Sequence, residues 1–186
     1  MTMYQKSQLD QLEKQKKTGR NMLLATVAIT ALNLALMFAN SNFSVPYNVS
    51  LSYYLTVLGY LFDGYTFATY TRTGLVMAAA VLILWLLVWY CSKGRKKWLL
   101  AGMALAIADT LFLVVFAFLF LSSPSSCLIE CVIHIAVIYE IWQAYAAYSR
   151  EDRLKESIAL EEARQAMSAD TEEATEAETE YSDILA

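Results

Sequence analysis

The stretch CLIECVIHIAVIYE, residues 127–140, sets two cysteines, two glutamates and the single histidine of the chain inside an otherwise apolar run. Thiolate, imidazole and carboxylate are all groups that zinc accepts, and an imidazole next to a carboxylate can also pass a proton. On a helix that turns about 100° per residue, Cys127, Glu130, Cys131 and His134 fall on one side and Glu140 on nearly the opposite side. A metal set of Cys127, Cys131 and His134 follows from that stripe. Its C-x3-C-x2-H spacing lacks the paired CxxC of structural zinc sites, however, and cysteine is also a common small apolar packer in helices. The expectation is a chain without a cofactor, with zinc or a similar metal as the minor alternative.

Two more polar residues interrupt apolar runs: Asn33 and Asp109. With a rise of about 1.5 Å per residue, counted from the cytoplasmic ends, Glu140 comes about 12 Å deep, Asp109 about 16 Å, Asn33 about 20 Å and His134 about 21 Å. Three helices therefore offer Asn33, Asp109 and His134 at one level, with Glu130 and Glu140 on the same helix as the histidine. Polar residues in a membrane span turn inward and find partners. One outcome is a packing layer in which a neutral His134 donates to Asp109 or Asn33 and fixes helix register. The other is a proton relay or ion site built on Asp109 and His134.

The elements that must hold these groups are helices. The chain has 186 residues, 58% of them hydrophobic, which is too apolar for a soluble domain. A hydrocarbon core of about 30 Å needs roughly 20 apolar residues in a helix, and four stretches meet that need: about 21–40, 74–91, 98–121 and 127–148. Basic residues favour the cytoplasmic flank. With four spans, Lys14 to Arg20, Lys93 to Lys97 and Arg150 to Lys155 share one side, and Arg72 is the one basic residue left outside. Making 51–62 a fifth span would separate these clusters, and twelve residues before Asp63-Gly64 are too few to cross. The predicted fold is all-α: an integral membrane four-helix bundle in the plasma membrane, with both termini cytoplasmic.

Residues 1–20 form a basic cytoplasmic N-terminus and 21–149 the four-span domain. Helix four continues as a cytoplasmic helix over 150–168, and 169–186 form a disordered acidic tail, too poor in apolar residues to pack. The outer segment 41–73 is rich in tyrosine and phenylalanine and is expected to lie on or dip into the outer surface as a lid, with an aromatic ligand platform as the functional alternative. NFS and NVS within it match glycosylation sequons. Gly102 with Ala106, Ala104 with Ala108 and Ala28 with Ala35 suit close helix packing. No P-loop, GxSxG, dinucleotide fingerprint or HExxH occurs in the sequence.

At ALNLALMFANSN, IADTLFL and LIECVIHIAVIYEIWQA the chain resembles an uncharacterised family of small four-span membrane proteins from clostridial-type Gram-positive bacteria. The resemblance covers about residues 20–150 and implies a bacterial origin and four spans, with Asn33, Asp109 and His134 at the matching polar positions. The acidic tail departs from it, and the family carries no activity over. Three function classes follow from the sequence. The first is a non-enzymatic membrane protein that interacts with or regulates others. The second is a small oligomeric transporter or proton-coupled carrier using Asp109 and His134, and the third an intramembrane metalloenzyme. The expected partners are the lipid bilayer, further copies of the chain or other membrane proteins, and no nucleic acid.

Overall fold

A computed structural model describes the backbone of residues 2–39, 41, 43–120 and 127–184, and the side chains of these residues apart from 120 and 169–184. The described residues form five helices and no strand: α1 Met3–Phe38, α2 Ser50–Phe62, α3 Thr69–Cys91, α4 Lys96–Phe120 and α5 Leu128–Ile184. Four of them, all but α2, are long and apolar enough to cross a membrane. α1 packs on α3 and α5, and α4 packs on the same two, so the four long helices close into a ring.

This bundle buries many polar groups beside an apolar core of Leu23, Trp85, Leu99 and Ile141, and turns large apolar side chains outward. Its interior holds Thr26, Thr30, Asn33, Ser50, Thr56, Asp109, Glu130 and His134, while Val76, Ile83, Phe118, Leu119 and Ile135 face outward. Such an exterior suits an apolar surrounding, and the small and hydroxylated interior lets helix backbones approach closely.

α1 starts well before the first apolar run because its N-terminus is capped. Gln5 N–H donates to Thr2 Oγ1 at 3.2 Å, and Thr2 N–H donates to Gln5 Oε1 at 2.7 Å, a reciprocal capping box that satisfies two orphan donors. The helix spans 36 residues, about 54 Å, so its first turns extend past the bundle and pair with α5. Gln5 bonds Glu161 at 3.0 Å, Lys16 bonds Glu151, and Lys96 lies 3.5 Å from Asp152. These contacts gather the basic flanks of α1, α4 and α5 at one end of the molecule. At Gly19 the two long helices nearly touch: a Cβ there would fall 2.3 Å from Ala144 Cβ and 2.7 Å from the Glu140 carbonyl. The backbone of α5 runs on to Ile184. The tail expected to be disordered, 169–186, lies outside the residues whose side chains are described.

Of the two arrangements expected for the segment after α1, lying on the surface or dipping into it, residues 47–52 take the second. Tyr47, Asn48 and Val49 are buried, and α2 begins inside the bundle. From there α2 runs antiparallel to the N-terminal half of α3. Ser52 Oγ donates to Ala78 O at 3.3 Å. Added Cβ atoms would sit 2.7 Å from Leu55 O at Gly74 and 2.5 Å from Tyr70 O at Gly59. Both glycines are there because the two backbones nearly touch. α2 ends at Asp63, whose carboxylate then caps α3, accepting from Thr71 N at 2.6 Å and from Tyr70 N at 3.3 Å. Residues 43–62 thus enter the ring and leave by the same end. They do so because the amides of the entering segment find their partners on the surrounding helices. The buried Asn48 puts the NVS sequon out of reach, and Asn42 of NFS lies outside the described residues.

Candidate functional site

Thr26, Thr30 and Asn33 recur at i, i+4 and i+7 and form one polar stripe on the inner face of α1. Asn33 serves as a surrogate backbone for the entering segment. Its Oδ1 accepts from Val45 N at 2.8 Å, and its Nδ2 reaches Val45 O at 2.8 Å, Tyr47 O at 3.0 Å and Asn48 Oδ1 at 2.7 Å. Two amide hydrogens are shared among those three acceptors. Thr30 Oγ1 accepts from Val49 N at 2.7 Å while donating to Thr26 O at 2.8 Å, and Thr26 Oγ1 lies 2.8 Å from the Tyr47 hydroxyl.

From the opposite wall α4 contributes Asp109. Its two oxygens take one amide each: Ser50 N–H at 2.9 Å to Oδ2 and Leu51 N–H at 2.9 Å to Oδ1. These are orphan donors of the first turn of α2, so Asp109 caps that helix from another element. A carboxylate there also meets the positive end of the helix dipole.

α5 closes the site with His134 and Glu130. His134 Nε2 lies 2.9 Å from the Asn48 carbonyl, which can only accept, so the ring carries its proton on Nε2. The Asp109 carboxylate is 3.7 Å from the same nitrogen, and Tyr47 meets the ring edge-on at 5.0 Å. Buried Nδ1 has no hydrogen-bond partner among the described residues. Glu130 accepts from Tyr54 OH at 3.0 Å and faces Asn48 Nδ2 at 3.5 Å.

Four residues singled out by sequence, Asn33, Asp109, Glu130 and His134, thus surround one site. The direct bond expected from His134 to Asp109 or Asn33 is replaced by one to the Asn48 carbonyl, because the entering backbone occupies the space between the helices. Glu140 does not join them. It lies nearly two turns along α5 from His134, where its carbonyl faces Gly19. Cys127 and Cys131 pack with Leu113 and Ala117 of α4 and with Tyr54. Among the described residues no three His, Cys, Asp or Glu side chains converge as metal ligands.

Sequence reasoning missed Asn48, Tyr54, Tyr47, Thr26 and Thr30. The hydroxyl stripe on α1 was legible as a spacing, as was Ser52, Thr56 and Gly59 on α2. Of the aromatics in segment 41–73, Tyr54 turns inward and stacks on Phe116 at 4.4 Å, whereas Phe43, Tyr53, Tyr60 and Tyr65 rim a cavity of about 510 Å³. Comparison with protein families, with characterised proteins and with solved structures finds no match to the chain.

Proposed function

We propose that the chain is a non-enzymatic, multi-pass protein of the plasma membrane, crossing four times with both termini in the cytoplasm, and that it works by binding other membrane components. The observation that carries this reading is the pair of amide bonds at Asp109. The acid that would serve a relay is engaged by the backbone of α2, which makes the buried layer a device for holding a re-entrant helix. The apolar exterior and the basic flanks gathered at one end support the topology. The paired ends of α1 and α5 are the surface left to meet partners. Bacterial origin rests on the resemblance at IADTLFL and the neighbouring motifs.

The protein reconstituted in vesicles should conduct no protons down an imposed pH gradient, and a cysteine introduced at Lys96 should label only from the cytoplasmic side. A proton flux that Asp109→Asn abolishes would replace this reading with the carrier one. That second reading has one observation in its favour: the Nδ1 of His134, unpartnered among the described residues, in a ring 3.7 Å from Asp109.

A further inference from the structure

Below the polar site a groove runs along the seam of α1 and α5. Its upper part, about 280 Å³, is walled by Met22, Ala25 and Ile29 of α1 and by Ile133, Ala136 and Val137 of α5, with Thr26 and Tyr47, whose hydroxyls are bonded to each other, also lining it, and it ends at Glu140. Glu140 also borders a second, polar crevice with Gln11, Lys14, Gln15, Thr18 and Gln143. It therefore marks the point where an apolar channel meets a water-facing one. The groove exists because Gly19 draws the helices together at Ala144, leaving the larger side chains on either side to form walls.

The Glu140 carboxylate makes no hydrogen bond or ion pair among the described residues. The neighbouring cations are turned elsewhere: Lys16 to Glu151 and the Tyr148 ring, and Arg20 to the Trp89 ring at 5.3 Å. Lys14 borders the polar crevice without pairing to Glu140. A single anionic group at the end of an apolar groove is complementary to one ligand chemistry, an apolar body ending in a cationic nitrogen. A phospholipid fits poorly, because its phosphate would follow the acyl chains and meet the carboxylate. The volume is also close to the lower bound of about 300 Å³ for small-molecule sites, which suits a slim single chain. The apolar wall runs from Met22 to Ile29 on α1, about 10 Å, and from Ile133 to Val137 on α5, about 6 Å, before Glu140.

We infer that the α1–α5 groove is a binding site for a single-chain lipophilic cation, its chain against Met22, Ile29 and Ile133 and its ammonium at Glu140. This goes beyond the scaffold reading and does not depend on it.

The test uses the purified full chain in maltoside micelles and labelled decyltrimethylammonium, with empty micelles subtracted. Saturable binding of one cation per chain is expected. Glu140→Gln should weaken it roughly tenfold, the loss of one ion-pair contact with a quaternary nitrogen that has no N–H to donate, and Met22→Trp should block it by filling the groove. Neither decanol nor decyl sulfate should compete. Thermal melting of Glu140→Gln should match the parent, because the carboxylate has no partner to lose, so weakened binding cannot be put down to misfolding. Three results would overturn the proposal: uptake no greater than by empty micelles, binding indifferent to Glu140→Gln, or equal displacement by decanol, which would mean a groove that takes any acyl chain. Loss of a dimer in Glu140→Gln without cation binding in the parent would make this face a contact between copies, and would equally overturn it.

Discussion

The two ends of α1 are held in opposite ways. In its C-terminal half, Thr30 and Asn33 bind uncharged backbone atoms of residues 45–49 in the buried interior, and Thr26 meets the Tyr47 hydroxyl. At its N-terminal end, Lys16 pairs with Glu151, which Lys155 also contacts at 2.9 Å, and one face of this network is exposed at Lys155. The charged end looks stronger on paper. Yet a buried donor left without a partner costs about 1–3 kcal/mol, whereas an ion pair near water contributes about 0–1 kcal/mol. The structural weight of a polar residue here follows its distance from water more than its charge.

The largest effect is expected where that contrast is sharpest. Asp109→Leu removes the acceptor of two amides and should destabilise the protein by about 3 kcal/mol or more in detergent melts. Asp109→Asn keeps one oxygen but turns an NH2 group toward the second amide, and should cost about 1–2 kcal/mol. Sequence reasoning alone would make that substitution nearly neutral, since it sees one titratable acid and not two separate amide bonds. Equal stability of both variants would break the cradle account.

Next come the glycines that let α2 lie on α3. A methyl at Gly59 or Gly74 would meet backbone at 2.5 Å or 2.7 Å, where no flexible side chain can yield. Gly59→Ala and Gly74→Ala should each cost about 1–3 kcal/mol, as overpacking does, and should raise protease sensitivity around residues 43–62. An unchanged melting temperature would mean that α2 is not seated on α3.

The smallest effect should come from the N-terminal end of α1. The hydrogen bond from Lys16 holds the Glu151 carboxyl below its ordinary value of 4.5. A group whose folded value is lowered stabilises the fold above that ordinary value, and its contribution disappears as pH falls through the lowered one. Lys16→Ala should therefore cost less than about 1 kcal/mol at neutral pH, and the difference from the parent should vanish in acid below the glutamate range. A loss as large as that of Asp109→Leu would reverse the comparison.

Much of this arrangement was legible as spacing. Apolar run length gave the four long helices, and helix rise brought Asn33, Asp109 and His134 to one level. The Asp63-Gly64 break marked the end of α2, where Gly64 and Tyr65 both take positive φ, 62° and 63°, the left-handed region that glycine enters freely and tyrosine does not. What the spacing could not reveal was the partner. The groups that Asn33, Asp109 and His134 hold are main-chain atoms of VPYNVSL, and every sequence supplies the same main chain. Nothing periodic in that segment signals that it enters the bundle. The reach of α1 to Met3 was missed for a related reason: the Thr2–Gln5 capping box is a local signal within a polar stretch that hydropathy passes over.

Hydrogen exchange at residues 45–51 in the full-length protein tests the central claim most directly, because it reads the amides that the buried side chains hold. The account predicts that Val45, Val49, Ser50 and Leu51 exchange as slowly as the interior of α4. In Asp109→Leu, protection should be lost at Ser50 and Leu51 while α3 and α4 keep theirs. Rapid exchange of these amides in the parent, or protection indifferent to Asp109→Leu, would contradict it.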